Sequence, residues 1–581
     1  MACKKNLHNK GIQNVSESLH IPMSYEDIYG KIEDCDLDVL LQGIPTVPAI
    51  ELIASLQHKV IYAQTSEYFQ SRVRFKYLQV CSSETKRSVY AYYRKNPKPI
   101  FLYIESTHLF YALMLSKWND LDRELTKEET ERVFKAYLYC TSLWLKDMDA
   151  RTTKTQNKAD MLLQVEVPYV EFKLAKDFKA QLYKAYKFFE YLSQDQKHAQ
   201  FLSWFCADYK CACWEEYLMR IFNLYLGCMS SCNMPVPKWC NQSDLDFYDQ
   251  YIVDPNQCAA LWNNADKQPI LRYMRNHYML GAYEGEYMLL NVNLMVDKMF
   301  QGLKFDLYQS IIVHGGTNHK NKAFKDKPSV HSYFAERFSE PILLYELLRD
   351  TFKGATCVKT GSELKKVFID GEPDFYVRIN QDLYLIEYKD VTLGDTIKYS
   401  SNLQLIKDEI CARLCKDDGS VRKGAGQLLF NIDRIMNGGI MDSIDPDVKS
   451  VDRIFPIVLT TDRTFSSMGV NDTIIEAYNN ILANYTFGSY FLSIPIILEY
   501  DTLFELSGHI INGRINFGQL LWDYLLFISG NHIPLYSFVK DFYRDKLPQQ
   551  FTETDIDRML GSLTQAFASY SQTRGITPNL L

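Results

Sequence analysis

The sequence predicts an α/β protein in which a mixed helix-and-strand region, residues 306–500, lies between a large, mainly helical N-terminal region (1–305) and a helical C-terminal extension (501–581). Three observations carry this expectation. Apolar residues recur at three- and four-residue spacing through the first half of the chain. The composition shifts abruptly at Val313–Ser329, a polar stretch with Lys320, Lys322, Lys325 and Lys327 close together. After it, helical and strand-like patterns alternate, the order expected of an α/β domain.

Taken in order, Thr126–Met148 opens with a capping signature and continues as an amphipathic helix. Residues 175–204 and 214–227 carry Tyr, Phe and Leu on one stripe with Lys, Asp and Gln opposite. Asn233–Asp244 (NMPVPKWCNQSD) breaks this region, as between two lobes. Beyond the lysine-rich loop, Phe338–Phe352 is expected to be a helix starting at the cap Ser339, with Pro341 in its first turn. Val367–Val391 holds two strand-like runs and Gly424–Met436 a helix. Arg453–Thr460 reads as a buried strand, Asn471–Asn484 as a helix and Ile494–Glu499 as a strand. Helices are expected at Phe517–Ile528 and Leu535–Arg544.

With 581 residues, two to four domains are expected; 47% hydrophobic and 23% charged residues exclude a disordered or fibrous chain. No run approaches the ~18 apolar residues of a membrane span, and MACKKNLHNKGIQN lacks the apolar stretch of a secretory signal, so a soluble, cytoplasmic protein without a membrane partner is expected. The net charge of −7 argues against a generally basic nucleic-acid coat but leaves room for a local basic groove. Most of the 14 Cys should then be reduced thiols. Seven of them fall between Cys206 and Cys258, without a CxxC pair. Buried thiols explain them better than zinc, since Cys211 and Cys213 on a helix would point ~200° apart. His314, His319 and His331 read as loop histidines. No GxxxxGK[ST] is present, so energy-driven translocation would need a partner subunit.

The chemistry concentrates in GEPDFYVRINQDLYLIEYKDV, Gly371–Val391. Glu387 and Lys389 lie two apart on the second strand and therefore share a face. A two-residue turn at Asn380-Gln381 would set Asp374 directly opposite Glu387, with Cβ atoms ~4.5–5.5 Å apart. Facing carboxylates repel, and a divalent cation between them reverses that sign. Mg²⁺, commonly held by one or two carboxylates plus phosphate oxygens and water, suits the pair. Such an ion polarises a phosphoryl oxygen and acidifies water. Lys389 could act as a base only with a lowered pKa, so electrostatic support of the transition state is its expected role.

Pro373-Asp374, twelve residues, then Glu387-Tyr388-Lys389 resembles the PD-(D/E)xK nuclease superfamily. Other such triplets in the chain, among them Glu84-Thr85-Lys86 and Glu363-Leu364-Lys365, lack the apolar strand and the upstream Pro-Asp. The resemblance spans roughly 310–500 and implies a restriction-endonuclease-like mixed sheet flanked by helices. It implies Asp374, Glu387 and a helix acid on Mg²⁺ (or Mn²⁺ in its place), with Lys389 beside the scissile phosphate. Glu340 in FSEPILLYELL best fits the helix acid, with Glu336 in reserve. KGAGQLLFNIDRI supplies the family's helical Gln as Gln427, expected to position Lys389 or a phosphate, with Lys423 and Asn431 four residues to either side on one face; some relatives carry Tyr where Asn431 stands.

The function expected is thus a metal-dependent nuclease acting on nucleic acid, most readily DNA, with Lys320, Lys322, Lys325 and Lys423 as backbone contacts. The resemblance adds a role in bacterial defence against phage or foreign DNA. The N-terminal region would serve recognition or regulation, and a homo-oligomer or a partner subunit is compatible. The alternatives are a nuclease-like nucleic-acid-binding or sensor protein without turnover, and a structural subunit in which the hairpin is incidental.

Overall fold

The computed structural model describes residues 22–543, apart from breaks at 62–65, 97–99, 153–156, 174–175, 237–239, 241, 265, 284–285, 370 and 530, with isolated positions in the tail. Residues 1–21 and the last part of the C-terminal extension expected from sequence, 544–581 apart from the isolated positions, therefore lie outside the described residues. The chain forms two compact units: Met1–Asp147 with Pro255–Lys267, and Met148–Asp254 with Gln268–Leu581. This division runs through the helical first half and groups its later helices with the mixed sheet.

In the first unit the helix Ile104–Ser116 is buried around nearly its whole circumference, and Pro255–Trp262 packs on it. The capping signature at Thr126 is realised. The Glu129 N–H donates to the Thr126 hydroxyl at 3.2 Å, and the Thr126 N–H donates to the Glu129 carboxylate at 2.9 Å.

Among the described residues the second unit holds three sheets. The first is built from β1 (Asn233–Pro235), β2 (Met279–Tyr283) and β3 (Glu286–Leu289), in the order β1-β3-β2 and antiparallel throughout. Only β1 lies in Asn233–Asp244, the stretch that reads from sequence as a break between helical lobes; β2 and β3 come later in the chain. These strands span three to five residues, too few for alternation to register.

The main sheet contains β4 (Cys357–Thr360), β5 (Phe375–Ile379) and β6 (Asp382–Lys389). A separate ribbon, β7 (Cys415–Asp417) with β8 (Arg422–Gly424), follows. The main sheet is completed by β9 (Arg453–Thr460), β10 (Phe491–Leu492) and β11 (Ile496–Glu499), β10 and β11 both pairing with β9. β4, β5 and β6 are antiparallel; β6, β9, β10 and β11 are parallel, making the sheet mixed.

Helices cover both faces, as the apolar composition of β6 and β9 requires. On one face Tyr376, Leu383, Leu385 and Val458 share a core with Leu428, Leu429 and Ile432 of the helix Ala425–Met436. On the other, Tyr384 lies against Phe455 at 5.3 Å and 12°, and touches Phe352 and the Phe517–Ile528 helix through Phe517.

One helix differs from its expectation. Ser339 caps nothing: the helix begins at Lys327, after Asp326, whose side chain forms a capping box with Ser329. It runs as one helical path to Thr351, and Ala335–Leu344 is wound as a π-helix with Pro341 inside it. Proline lacks the N–H that an α-turn uses, and a wider turn accommodates that loss. Released from capping, the Ser339 hydroxyl donates to Asp390 Oδ2 at 2.6 Å. Among the described residues no helix is long and apolar enough to cross a membrane.

Candidate active site

The β5–β6 hairpin is a two-residue turn, with Ile379 paired to Asp382. Asn380 takes φ 53°, the left-handed conformation such a turn needs and asparagine tolerates. Phe375 pairs with Ile386, so the register brings Asp374, one residue before β5, opposite Glu387. The Tyr388 N–H donates to Asp374 Oδ2 at 2.7 Å, holding that carboxylate across the hairpin. Gly361 makes this close approach possible. Its N–H donates to the Asp374 carbonyl at 2.7 Å, and a Cβ there would sit 3.3 Å from Asp374 Cα and 3.0 Å from the Tyr345 hydroxyl.

Glu387 is 1% exposed. Its Oε1 accepts from Lys389 Nζ at 2.5 Å, while its Oε2 is buried with no hydrogen-bond partner among the described residues. Burial, then the charge of Glu387, pushes Asp374 well above the ordinary carboxylate range; burial raises Glu387 as well, against the pull of Lys389. Burial alone would lower Lys389, but Glu387 and Asp374 outweigh it and hold the ammonium above its usual value. A base role for Lys389 runs against that direction, whereas a charge-stabilising role agrees with it.

Glu340 projects from the π-helical stretch and accepts from the Tyr345 hydroxyl at 2.6 Å; its charge reaches Asp374, Glu387 and Lys389. Glu340, Glu336 and Lys389 line one cleft of about 580 Å³. Glu336 is exposed. Among the described residues no group of three or more His, Cys, Asp or Glu side chains converges as a ready-made cation site. What the hairpin does supply is a facing pair of carboxylates with one orphaned buried oxygen.

The remaining expected residues are dispersed. Gln427 Nε2 donates to the Glu372 carbonyl at 3.0 Å, tying its helix to the segment that presents Asp374 rather than meeting Lys389. Lys423 is not on that helix: it lies in β8, exposed, because the helix begins at Ala425. Asn431 is fully buried, with neither amide atom hydrogen-bonded among the described residues. Lys320, Lys322 and Lys325 are exposed on their loop, and of that lysine-rich stretch it is Lys327 that lines the cleft.

Sequence reasoning missed the support behind β6. Asp390, 7% exposed, is gripped by Lys304 Nζ at 3.2 Å, Ser339 Oγ at 2.6 Å and Thr461 Oγ1 at 2.7 Å. His331 is not a loop residue but belongs to the helix Lys327–Phe334, where its Nε2–H donates to the Asp390 carbonyl at 2.7 Å. The available signal was Asp390 itself, a charged residue directly ending an apolar strand. The described cysteines are free thiols, and burial raises Cys206, Cys211 and Cys228 to about 12. Compared with protein-family models, with curated proteins and with solved structures, the chain gives no match in any of the three.

Proposed function

We propose that the chain is a metal-dependent nuclease of the PD-(D/E)xK kind, hydrolysing phosphodiester bonds, most readily of DNA, in bacterial defence against foreign DNA. One observation carries the reading: Asp374 faces Glu387, whose Oε2 is buried and unpartnered among the described residues, with Lys389 on the same face at a cleft. The restriction-endonuclease-like fold proposed with it is supported by the antiparallel β4-β5-β6 group continued in parallel by β9, under helices on both faces.

Orphaning a buried carboxylate oxygen costs ~1–3 kcal/mol or more, and two facing acids add repulsion, so the pair fits a hard divalent cation. Asp374 and Glu387 would hold it, with Glu340 on the cleft wall as a third acid. When bound, such an ion supplies Lewis-acid polarisation of a phosphoryl oxygen and a more acidic water. The chain's own residues do the rest. Lys389, kept protonated by its acidic neighbours, places positive charge where the phosphate gains negative charge. Tyr345 and the Tyr388 N–H fix Glu340 and Asp374, and Gln427 anchors the loop that carries Asp374.

A second reading, binding without turnover, draws on the engagement of Lys389 with Glu387 and of Glu340 with Tyr345. Incubating the full chain with linear and circular DNA in Mg²⁺, Mn²⁺ or EDTA separates the two. The nuclease reading expects metal-dependent cutting that Lys389→Ala lowers by ~10²–10³-fold. DNA retained but uncut under every metal would establish binding without turnover.

A further inference from the structure

Adjoining the cleft is a second chamber of about 530 Å³, within the ~300–1,000 Å³ typical of small-molecule sites. The two share Phe305, Lys327, Thr392 and Gly394 as wall residues. At the chamber wall Arg463 is 5% exposed. Its Nε donates to Glu499 Oε1 at 2.7 Å and its guanidinium lies over the Tyr536 ring at 4.4 Å. Nη2 is 3.9 Å from Asp501 Oδ2, yet neither Nη atom has a hydrogen-bond partner among the described residues. Glu499 Oε2, buried beside it, is also unpartnered among them.

The other carboxylates of the chamber are largely spoken for. Glu171 takes Lys398 at 2.6 Å and Arg275 at 2.9 Å, and Asp395 takes the same arginine at 3.0 Å. Asp306 is paired with Lys298 at 2.8 Å, Asp297 with Lys176, and Asp501 with Lys184 at 2.5 Å. Lys327, half-buried where the two cavities meet, makes no ion pair within 4.0 Å among the described residues. The spare hydrogen-bonding capacity therefore includes a buried guanidinium fork, a rim ammonium, one carboxylate oxygen and the Tyr251 hydroxyl. Phe305 adds an aromatic plate on the wall common to both cavities, its ring near-parallel to His331 at 18°. A fork and an ammonium match phosphate oxygens; an aromatic face matches a base; an acceptor matches a sugar hydroxyl or exocyclic amine.

We infer that this chamber binds one phosphate-bearing nucleotide unit, its phosphate toward Lys327 and Arg463 and its base against Phe305. The unit is either a free nucleotide or one residue of the strand in the cleft; the second source rests on the nuclease reading, while the binding itself does not.

Calorimetry on the full chain in EDTA, with dAMP, deoxyadenosine and a 5′-phosphorylated trinucleotide as probes, tests it. Saturable single-site binding of dAMP is expected, with deoxyadenosine at least ~tenfold weaker because the charge-assisted bonds are lost. Lys327→Gln should weaken dAMP binding. Gly394→Phe should abolish it by filling the shared opening: Gly394 has φ −67° and a Cβ there meets nothing within 4 Å, so the substitution is compatible with the fold. An unchanged unfolding transition in both variants would exclude misfolding as the cause. Competition between dAMP and the trinucleotide assigns the site to the strand; independent binding of the two assigns it to a free nucleotide. No saturable binding of either probe, equal binding of deoxyadenosine, or dAMP binding untouched by Gly394→Phe would overturn the inference. Binding intact in a chain that never cuts DNA would sink the nuclease reading and leave this one standing.

Discussion

Glu387 and Asp390 are buried carboxylates three residues apart at the same end of β6, and they are treated in opposite ways. Asp390 receives an ammonium and two hydroxyls, while its carbonyl receives His331; although burial alone would raise it, Lys304 and the surrounding donors hold it below the ordinary carboxylate range. Among the described residues Glu387 has one donor, one orphaned oxygen and a second acid opposite it, and burial raises its pKa. A buried acid whose acceptors are all used is part of the scaffold. One left unsatisfied costs stability, and on the proposed reading a bound cation completes it. On that reading the first type positions, and the second waits for a partner.

The sharpest way to break this contrast is to neutralise each acid in turn. Asp390→Ala leaves Lys304, itself 1% exposed, as an unpaired buried charge, so stability should fall by roughly 3–5 kcal/mol in urea titrations. Asp374→Asn should do the reverse in EDTA. The fold holds the ionised Asp374 at a cost, since its pKa is raised, and an amide removes that cost while keeping the shape. The midpoint should hold or rise while cleavage is lost. If Asp374→Asn destabilises as much as Asp390→Ala, the two acids are alike and the distinction fails.

A smaller effect sharpens the same point. A cation bound by the native pair and not by the unfolded chain stabilises by RT ln(1 + [L]/Kd), ~2.7 kcal/mol at a hundredfold excess over Kd. Thermal midpoints should therefore climb with Mg²⁺ in the native sequence and stay flat in Asp374→Asn. A midpoint equally raised in both would place the cation elsewhere.

The contrast also explains what could be read from the sequence. The hairpin was legible because period two and a two-residue turn fix register arithmetically: once Asn380-Gln381 is the turn, Asp374 must face Glu387. β9 and the Phe517–Ile528 helix were legible from apolar runs between clear boundaries, and their ends agree with the structure. Other elements depended on partners far away in sequence. β10 is two residues long and exists by pairing with β9, and the π-helical winding around Pro341 accompanies the bond from Ser339 to Asp390. Lys423 fell off its predicted face because β7 and β8 form a ribbon that delays the helix to Ala425. Arg463 and Glu499 lie on separate elements, so no spacing rule could have joined them.

A third acid tests whether a raised pKa always means a waiting site. Burial, followed by the charge of Asp177, pushes Glu505 up to about 8, although Arg463 pulls the other way. An acid raised in the fold costs nothing below the unfolded value near ~4.3, costs progressively more as pH rises, and costs most above its folded pKa. Glu505→Gln should thus leave stability unchanged near pH 4.5 and raise it at pH 9. The gain should be ~1–2 kcal/mol, less than the full shift implies because Glu505 is half-exposed and water screens it. Cleavage and dAMP binding should not change, since Glu505 lines neither cavity. That outcome would separate an acid that is merely strained from one, like Glu387, whose strain the proposed cation would relieve beside the cleft that Lys389 lines.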